Sequence, residues 1–219
     1  MKAFIKKHKY NYIKKCLYDL NNAYNSSVDD NIIQATKLYI NEKILNIFKD
    51  LSEEEKTLLD ITKINNPLYI DEYLAKLDEY VYGMPKVPNA HINKLFKKEK
   101  KLKLPNIDVQ DSKNVYLGWI DESTQKLFVA YNMNEKLIGM TCKITNSASN
   151  NSHMCVLCNN IGRENDVAFV SAVCKTSNSG EGAYKSIGFD ICLDSKKCND
   201  RISSIEKLEK ILKEVNNMK

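Results

Sequence analysis

Apolar residues recur at helical spacing through the first third of the chain. Ile5, Tyr12, Ile13, Cys16, Leu17, Leu20 and Tyr24 stand at intervals of three, four and seven, which makes one stripe on an amphipathic helix. Asn25, Ser26 and Ser27 interrupt it. Ile32, Ile33, Thr36, Tyr39, Ile40, Ile44, Ile47, Phe48 and Leu51 then begin a second stripe. Ser52 with Glu55 three residues later is a capping box, so a third helix opens there. Asn66-Pro67 closes it, because the residue before proline avoids helical backbone angles. Leu68, Tyr73, Leu74, Leu77 and Val81 supply a fourth stripe. Four amphipathic helices on short connections predict an antiparallel helical bundle over residues 1–83.

The period changes after that. Gly83-Met84-Pro85-Lys86-Val87-Pro88 holds half of the chain's four prolines and marks a domain junction. A short basic helix over residues 89–98 is followed by β-prone runs at 115–119, 127–131 and 137–140, with a turn over 132–135. Weaker strand candidates, 167–170 and 187–189, flank a polar loop at 176–182. A helix over 203–215 ends the pattern, with Ile205, Leu208, Ile211, Leu212 and Val215 on one side. The expected class is therefore α+β: a helical bundle, then a small β-sheet domain over 89–219. No internal repeat of 20–50 residues is visible.

Composition narrows the function classes. In 219 residues the apolar set is 43% and charged residues 28%, ordinary values for a globular chain. No run of about 18 apolar residues is present to cross a membrane, and the start, MKAFIKKHKYNY, lacks the apolar core of a secretory signal. A cytoplasmic protein is expected. The net charge of +5 is local. Residues 1–18 carry six lysines and no acid, residues 94–103 carry six lysines and Glu99, and the remainder is net −6. Two basic stripes on an otherwise acidic chain suit an anionic partner; they equally suit solvated helix faces.

Seven cysteines in a cytoplasmic chain point away from disulfides. Four form close pairs, Cys155-x2-Cys158 and Cys192-x5-Cys198. A CxxC knuckle lets two thiolates share one metal while backbone amides aim at the sulfurs. The second pair lies just ahead of the C-terminal helix, whose N-terminus favours negative charge. Four thiolates suit tetrahedral Zn2+ and fill its coordination sphere. Knuckle, hairpin, then a helix bearing ligands is the layout of a treble-clef zinc finger. His153, two residues from Cys155, is an alternative ligand. Cys16, Cys142 and Cys174 read as small core residues.

No enzymatic constellation stands out. HExxH, GxSxG and phosphate-cradling glycine loops are all missing from the sequence. The paired acids Asp71-Glu72 and Glu53-Glu54-Glu55 fall on predicted helix surfaces.

The strings YLGW (from Tyr116), LFKKEKKLKLP (from Leu95), CVLCN and CLDSKKCN resemble the FusB/FusC type of fusidic acid resistance protein, also called elongation factor G-binding proteins. The resemblance is clearest over residues 91–199 and extends through HKYNYIKK and NEKILNIF into the helical part. It implies a non-enzymatic, monomeric protein that binds the C-terminal domains of elongation factor G and releases factor locked on the ribosome by the drug. Such target protection leaves the drug itself unmodified. It also implies Zn2+ on Cys155, Cys158, Cys192 and Cys198.

The chain departs from the family pattern at contact positions. Met154 stands where an aromatic precedes the first zinc cysteine. Ile187 stands for a lysine, and Asp190 for an aromatic two residues before the third cysteine, with Phe189 one step away. A one-residue shift on a strand moves a side chain to the opposite face. Tyr184 and Lys185 keep aromatic and cationic character nearby. The expected partner contacts are thus Met154, Tyr184, Lys185, Ile187, Phe189 and Asp190, with Lys97, Lys98 and Lys101 from the basic stripe. The other reading of the same basic surfaces is a zinc-scaffolded protein that binds ribosomal RNA or tRNA.

Overall fold

The computed structural model describes residues 2–27, 29–105, 113–145, 151–175 and 184–218; the expected polar loop at 176–182 lies outside them. The chain divides into two compact units, Met1–Tyr82 and Gly83–Lys219.

The first unit contains α1 (Lys7–Ser26), α2 (Asp30–Asn46), α3 (Glu53–Leu59) and α4 (Ile70–Asp78), with short 3-10 turns at Ile61–Lys63 and Pro67–Tyr69. Ile13, Leu17, Leu20, Ile44, Leu59, Ile61 and Leu77 form its fully buried centre. The capping box is formed: the Ser52 hydroxyl accepts from the Glu55 amide at 3.2 Å, and the Glu55 carboxylate accepts from the Ser52 amide at 2.8 Å.

Three details differ from the sequence pattern. The third helix ends at Leu59, well before Pro67, because Asp60 turns extended and its carboxylate accepts the Thr62 amide at 3.0 Å. That starts a new turn instead of continuing the old one. Leu68 is 83% exposed, and α4 buries Ile70, Leu74 and Leu77 instead. On α2 the inward face is Ile33, Lys37, Ile40 and Ile44, leaving Ile32 and Tyr39 exposed. Lys37 is 1% exposed; its aliphatic stem packs inside and Nζ donates to the Thr62 carbonyl at 3.3 Å. The helices also gain a parallel two-residue ladder that pairs β1 (Ile5–Lys6) with β2 (Val81–Tyr82).

The second unit opens with α5 (Asn89–Leu95). It is built on a five-stranded antiparallel sheet of β3 (Leu117–Asp121), β4 (Lys126–Met133), β5 (Lys136–Ile144), β8 (Val167–Val173) and β9 (Ser186–Cys192), paired in that order. Two short strands, β6 (His153–Met154) and β7 (Ile161–Gly162), form a ribbon between β5 and β8. Asn134 and Glu135 both have positive φ (47° and 65°), as a tight two-residue hairpin between β4 and β5 demands. The helices α6 (Ser195–Asn199) and α7 (Glu206–Val215) follow the last strand.

Alternation sends the sheet's two faces into separate cores. Leu127, Val129, Met140, Cys142 and Val170 meet Leu208 and Leu212 of α7. On the opposite face, Leu117, Phe128 and Ala130 meet Ile92 and Phe96, with Trp119 stacked on Phe128 at 5.2 Å. The first strand starts two residues later than its apolar run predicts. The Val115 and Tyr116 amides are taken by the side chain of Asn199 rather than by a neighbouring strand.

Candidate metal centre and its outer face

The knuckle forms between β6 and β7. The Cys155 amide donates to the Asn160 carbonyl and the Asn159 amide to the Cys155 carbonyl, each at 2.9 Å. Asn159 turns the chain with φ 59°, a left-handed conformation that asparagine tolerates. The Cys158 amide aims at the Cys155 sulfur and the Asn160 amide at the Cys158 sulfur. Cys192 ends β9. Cys198 lies within α6, whose first turn is capped by Asp194 accepting the Lys197 amide at 3.0 Å. The second pair therefore does not precede the C-terminal helix directly. Capping by Asp194 creates a separate short helix, and α7 begins only at Glu206.

All four sulfurs lie within 4.8 Å of one another, with Cys155 to Cys198 at 3.9 Å and Cys158 to Cys192 at 3.5 Å. A tetrahedral zinc with Zn–S bonds of about 2.3 Å sets its sulfurs about 3.8 Å apart, so the cluster is the right size. Cys155, Cys192 and Cys198 are buried and Cys158 half-buried. So many thiols cannot all ionise side by side. Sharing of protons with the other three cysteines holds Cys155 far below the usual thiol range. Hydrogen bonding to Cys155, then to Cys158, pushes Cys192 and Cys198 far above it. A divalent cation removes that conflict by neutralising the group.

The surroundings brace this cluster. Tyr116, 1% exposed, sits beside it. Burial first, and then the Cys198 sulfur, push its phenol well above the usual value. Gly118 leaves room for the ring: a Cβ there would lie 2.8 Å from both Tyr116 Cε2 and Ser195 Cβ. The His153 imidazole is not among the clustered ligand atoms; its Nδ1 lies 2.9 Å from Asp190 Oδ1. The Asp190 carbonyl accepts the Val156 amide at 2.8 Å, so this residue fastens the knuckle to β9 twice.

The structure distributes the expected contact residues over several places. Met154 (53% exposed) is on β6, which lies against β8 and β9, and Tyr184 (75% exposed) precedes β9. Lys185 is exposed and paired with Glu214 at 2.8 Å. Ile187 and Phe189 are half-buried and pack toward the α7 core, in register with Ala172 and Val170. Asp190 lies on the outward face, opposite Phe169. Lys97, Lys98 and Lys101 are exposed, away from the cysteine cluster in sequence.

Phe169 is the residue that the sequence reading missed. It is 41% exposed, and its ring covers Gly188, where a Cβ would come within 2.3 Å of Cζ. Strict alternation along VAFVSAV was the available signal: Ala168, Val170 and Ala172 turn inward, and Phe169, Ser171 and Val173 outward.

Residues 4–85 match the family model described as elongation factor G-binding protein, N-terminal, and residues 89–217 match the FBP C-terminal treble-clef zinc-finger. Among solved structures the chain is similar to one described as "Structure of the fusidic acid resistance protein FusC". The identity is 27% over 98% of each chain, with a TM-score of 0.79. No curated protein matches the sequence. The zinc-finger family and the four-sulfur cluster agree on Zn2+ as the cofactor.

Proposed function

The chain belongs to the FusB/FusC-type elongation factor G-binding family, and from that membership we propose that it binds elongation factor G and promotes its release from the ribosome. Protection of translation against fusidic acid follows from that release, without chemistry on the drug. The protein acts in the cytoplasm, as a monomer, and not as an enzyme.

Cys155, Cys158, Cys192 and Cys198 hold the zinc. Four sulfurs leave no coordination position for water, so the metal supplies rigidity and not Lewis-acid chemistry. It ties three separate pieces into one body: the knuckle, the end of β9 and the short helix α6. The observation that carries the reading is the position of that tie. It fixes the ribbon bearing exposed Met154 beside β8, whose outward face bears exposed Phe169. Exposed aromatic and thioether side chains on a rigid frame are apt anchors for a protein interface. Phe169, opposite Asp190, restores an outward aromatic that Phe189, facing inward, does not provide. A binding protein speeds release only if it prefers one state of its partner, so the contact must be tighter to the departing form of the factor than to the locked one.

The experiment is a release assay. Ribosomes carrying labelled elongation factor G, GDP and fusidic acid are mixed with the zinc-loaded protein, and the loss of label is followed. Faster release is expected. An unchanged release rate at saturating protein contradicts the proposal.

A further inference from the structure

Apart from the zinc cluster, the second unit has a cavity of about 570 Å3 at the C-terminal end of α5. Its rim carries five basic side chains, His91, Lys94, Lys97, Lys136 and Lys175, and among the described residues no acid lines it. Its floor is aliphatic: Leu95, Leu137, Ile138 and Met218. Among the described residues, the side chains of His91, Lys94, Lys97 and Lys136 make no ion pair or hydrogen bond. Among the described residues, Lys175 Nζ donates only to the neutral Asn216 side chain, at 2.7 Å.

The neighbouring hollow of about 370 Å3 is a control built into the same lysine run. Lys98, Lys100 and Lys101 line it together with Glu99 and Asp121, and Glu99 pairs with Lys126 at 2.6 Å. Acids therefore line that hollow beside the lysines, whereas among the described residues none lines the larger cavity.

We propose that the larger cavity is the docking site for an acidic, leucine-rich or isoleucine-rich segment of the protein partner; the proposal rests on the reading above that the chain is a protein-binding module. Carboxylates of the segment meet the unanswered cations, and its aliphatic side chains cover the floor. Charge complementarity selects the occupant's sign, and the floor selects its class. A nucleic acid would bring phosphates to the rim, but its bases need aromatic platforms, and the floor offers none. An amphipathic acidic segment satisfies both surfaces at once.

The test uses the full zinc-loaded chain and a fluorescein-labelled synthetic peptide of alternating Glu-Glu and Leu-Leu pairs, read by anisotropy. The Lys94→Glu/Lys136→Glu variant changes exposed charge only, and zinc content and melting verify its fold. Binding to wild type is expected, weaker by about tenfold or more in the variant, and weaker also for a peptide with serine in place of leucine. Absence of peptide binding, equal binding by the variant, equal binding of the serine peptide, or tighter binding of poly(U) RNA would each overturn the proposal. Elongation factor G is titrated in parallel. If it binds wild type and variant alike, the cavity is not the docking site, whereas the functional reading stands. If it does not bind wild type, the functional reading fails, and the peptide result judges the cavity alone.

Discussion

The side-chain amide of Asn199 closes a ring with the backbone of Tyr116: Oδ1 accepts the Tyr116 amide and Nδ2 donates to the Tyr116 carbonyl, both at 3.0 Å. Oδ1 also accepts the Val115 amide at 2.6 Å. Asn199 thus does for the start of β3 what a neighbouring strand would do. It follows Cys198 directly, so the strand that delivers Tyr116 to the cysteine cluster is held by the cluster's own helix.

Asn199→Ala should therefore cost about 3 kcal/mol in urea unfolding, since it strands two buried amides and one carbonyl. The four cysteines remain, so zinc should still bind but should leave faster to a chelator. A loss under about 1 kcal/mol, within the range of an ordinary exposed site, would refute the clamp.

Trp119 is the sole tryptophan, in the second unit, stacked on Phe128 with its Nε1 donating to the Lys103 carbonyl at 2.8 Å. Its fluorescence reports that unit without interference from the first. Cys158→Ser should abolish zinc binding and shift Trp119 emission to the red, because the binding energy of a structural site is folding energy. Native emission from zinc-free protein would count against a structural metal.

Two glycines make opposite forecasts. At Gly118 an added Cβ meets Tyr116 and Ser195 at 2.8 Å, inside packed structure, so Gly118→Ala should destabilise by about 2 kcal/mol. At Gly188 the clash is with the tip of the exposed Phe169 ring, which can swing away. Gly188→Ala should stay within about 1 kcal/mol of wild type by thermal melting, yet weaken binding of elongation factor G if Phe169 is an anchor.

In the first unit, burial, with help from Lys6 and Lys9, pushes His8 down to about 4 from 6.5. The unfolded chain binds a proton on this group before the folded one does. Stability is therefore fully present above about pH 6.5 and is lost as pH falls from there toward 4. His8→Gln should flatten that slope; urea melts of both proteins across the window measure the difference.

Legibility in the sequence followed the range of the interaction. The stripe of α1, the Ser52 box and the paired cysteines are local patterns, and each was readable from spacing alone, whereas the α4 stripe was read with Leu68 in place of Ile70. The clustering of both cysteine pairs in one place was readable too, since thiols at such spacing have few other uses. The Asn199 clamp spans 83 residues to Tyr116, and nothing near Asn199 in sequence announces it. Lys37 reads as solvent-facing because its charge hides a long aliphatic stem. Two-residue strands such as β1 and β2 are too short to display alternation. Which face Phe189 takes depends on register with β8, which sequence fixes only through alternation over the whole strand.

Calorimetric titration of elongation factor G into the full chain, first zinc-loaded, then chelated, then with zinc restored, tests most directly whether the metal-held unit is what the partner recognises. Stoichiometric binding should disappear on chelation and return with the ion. Undiminished affinity of the zinc-free chain would contradict it.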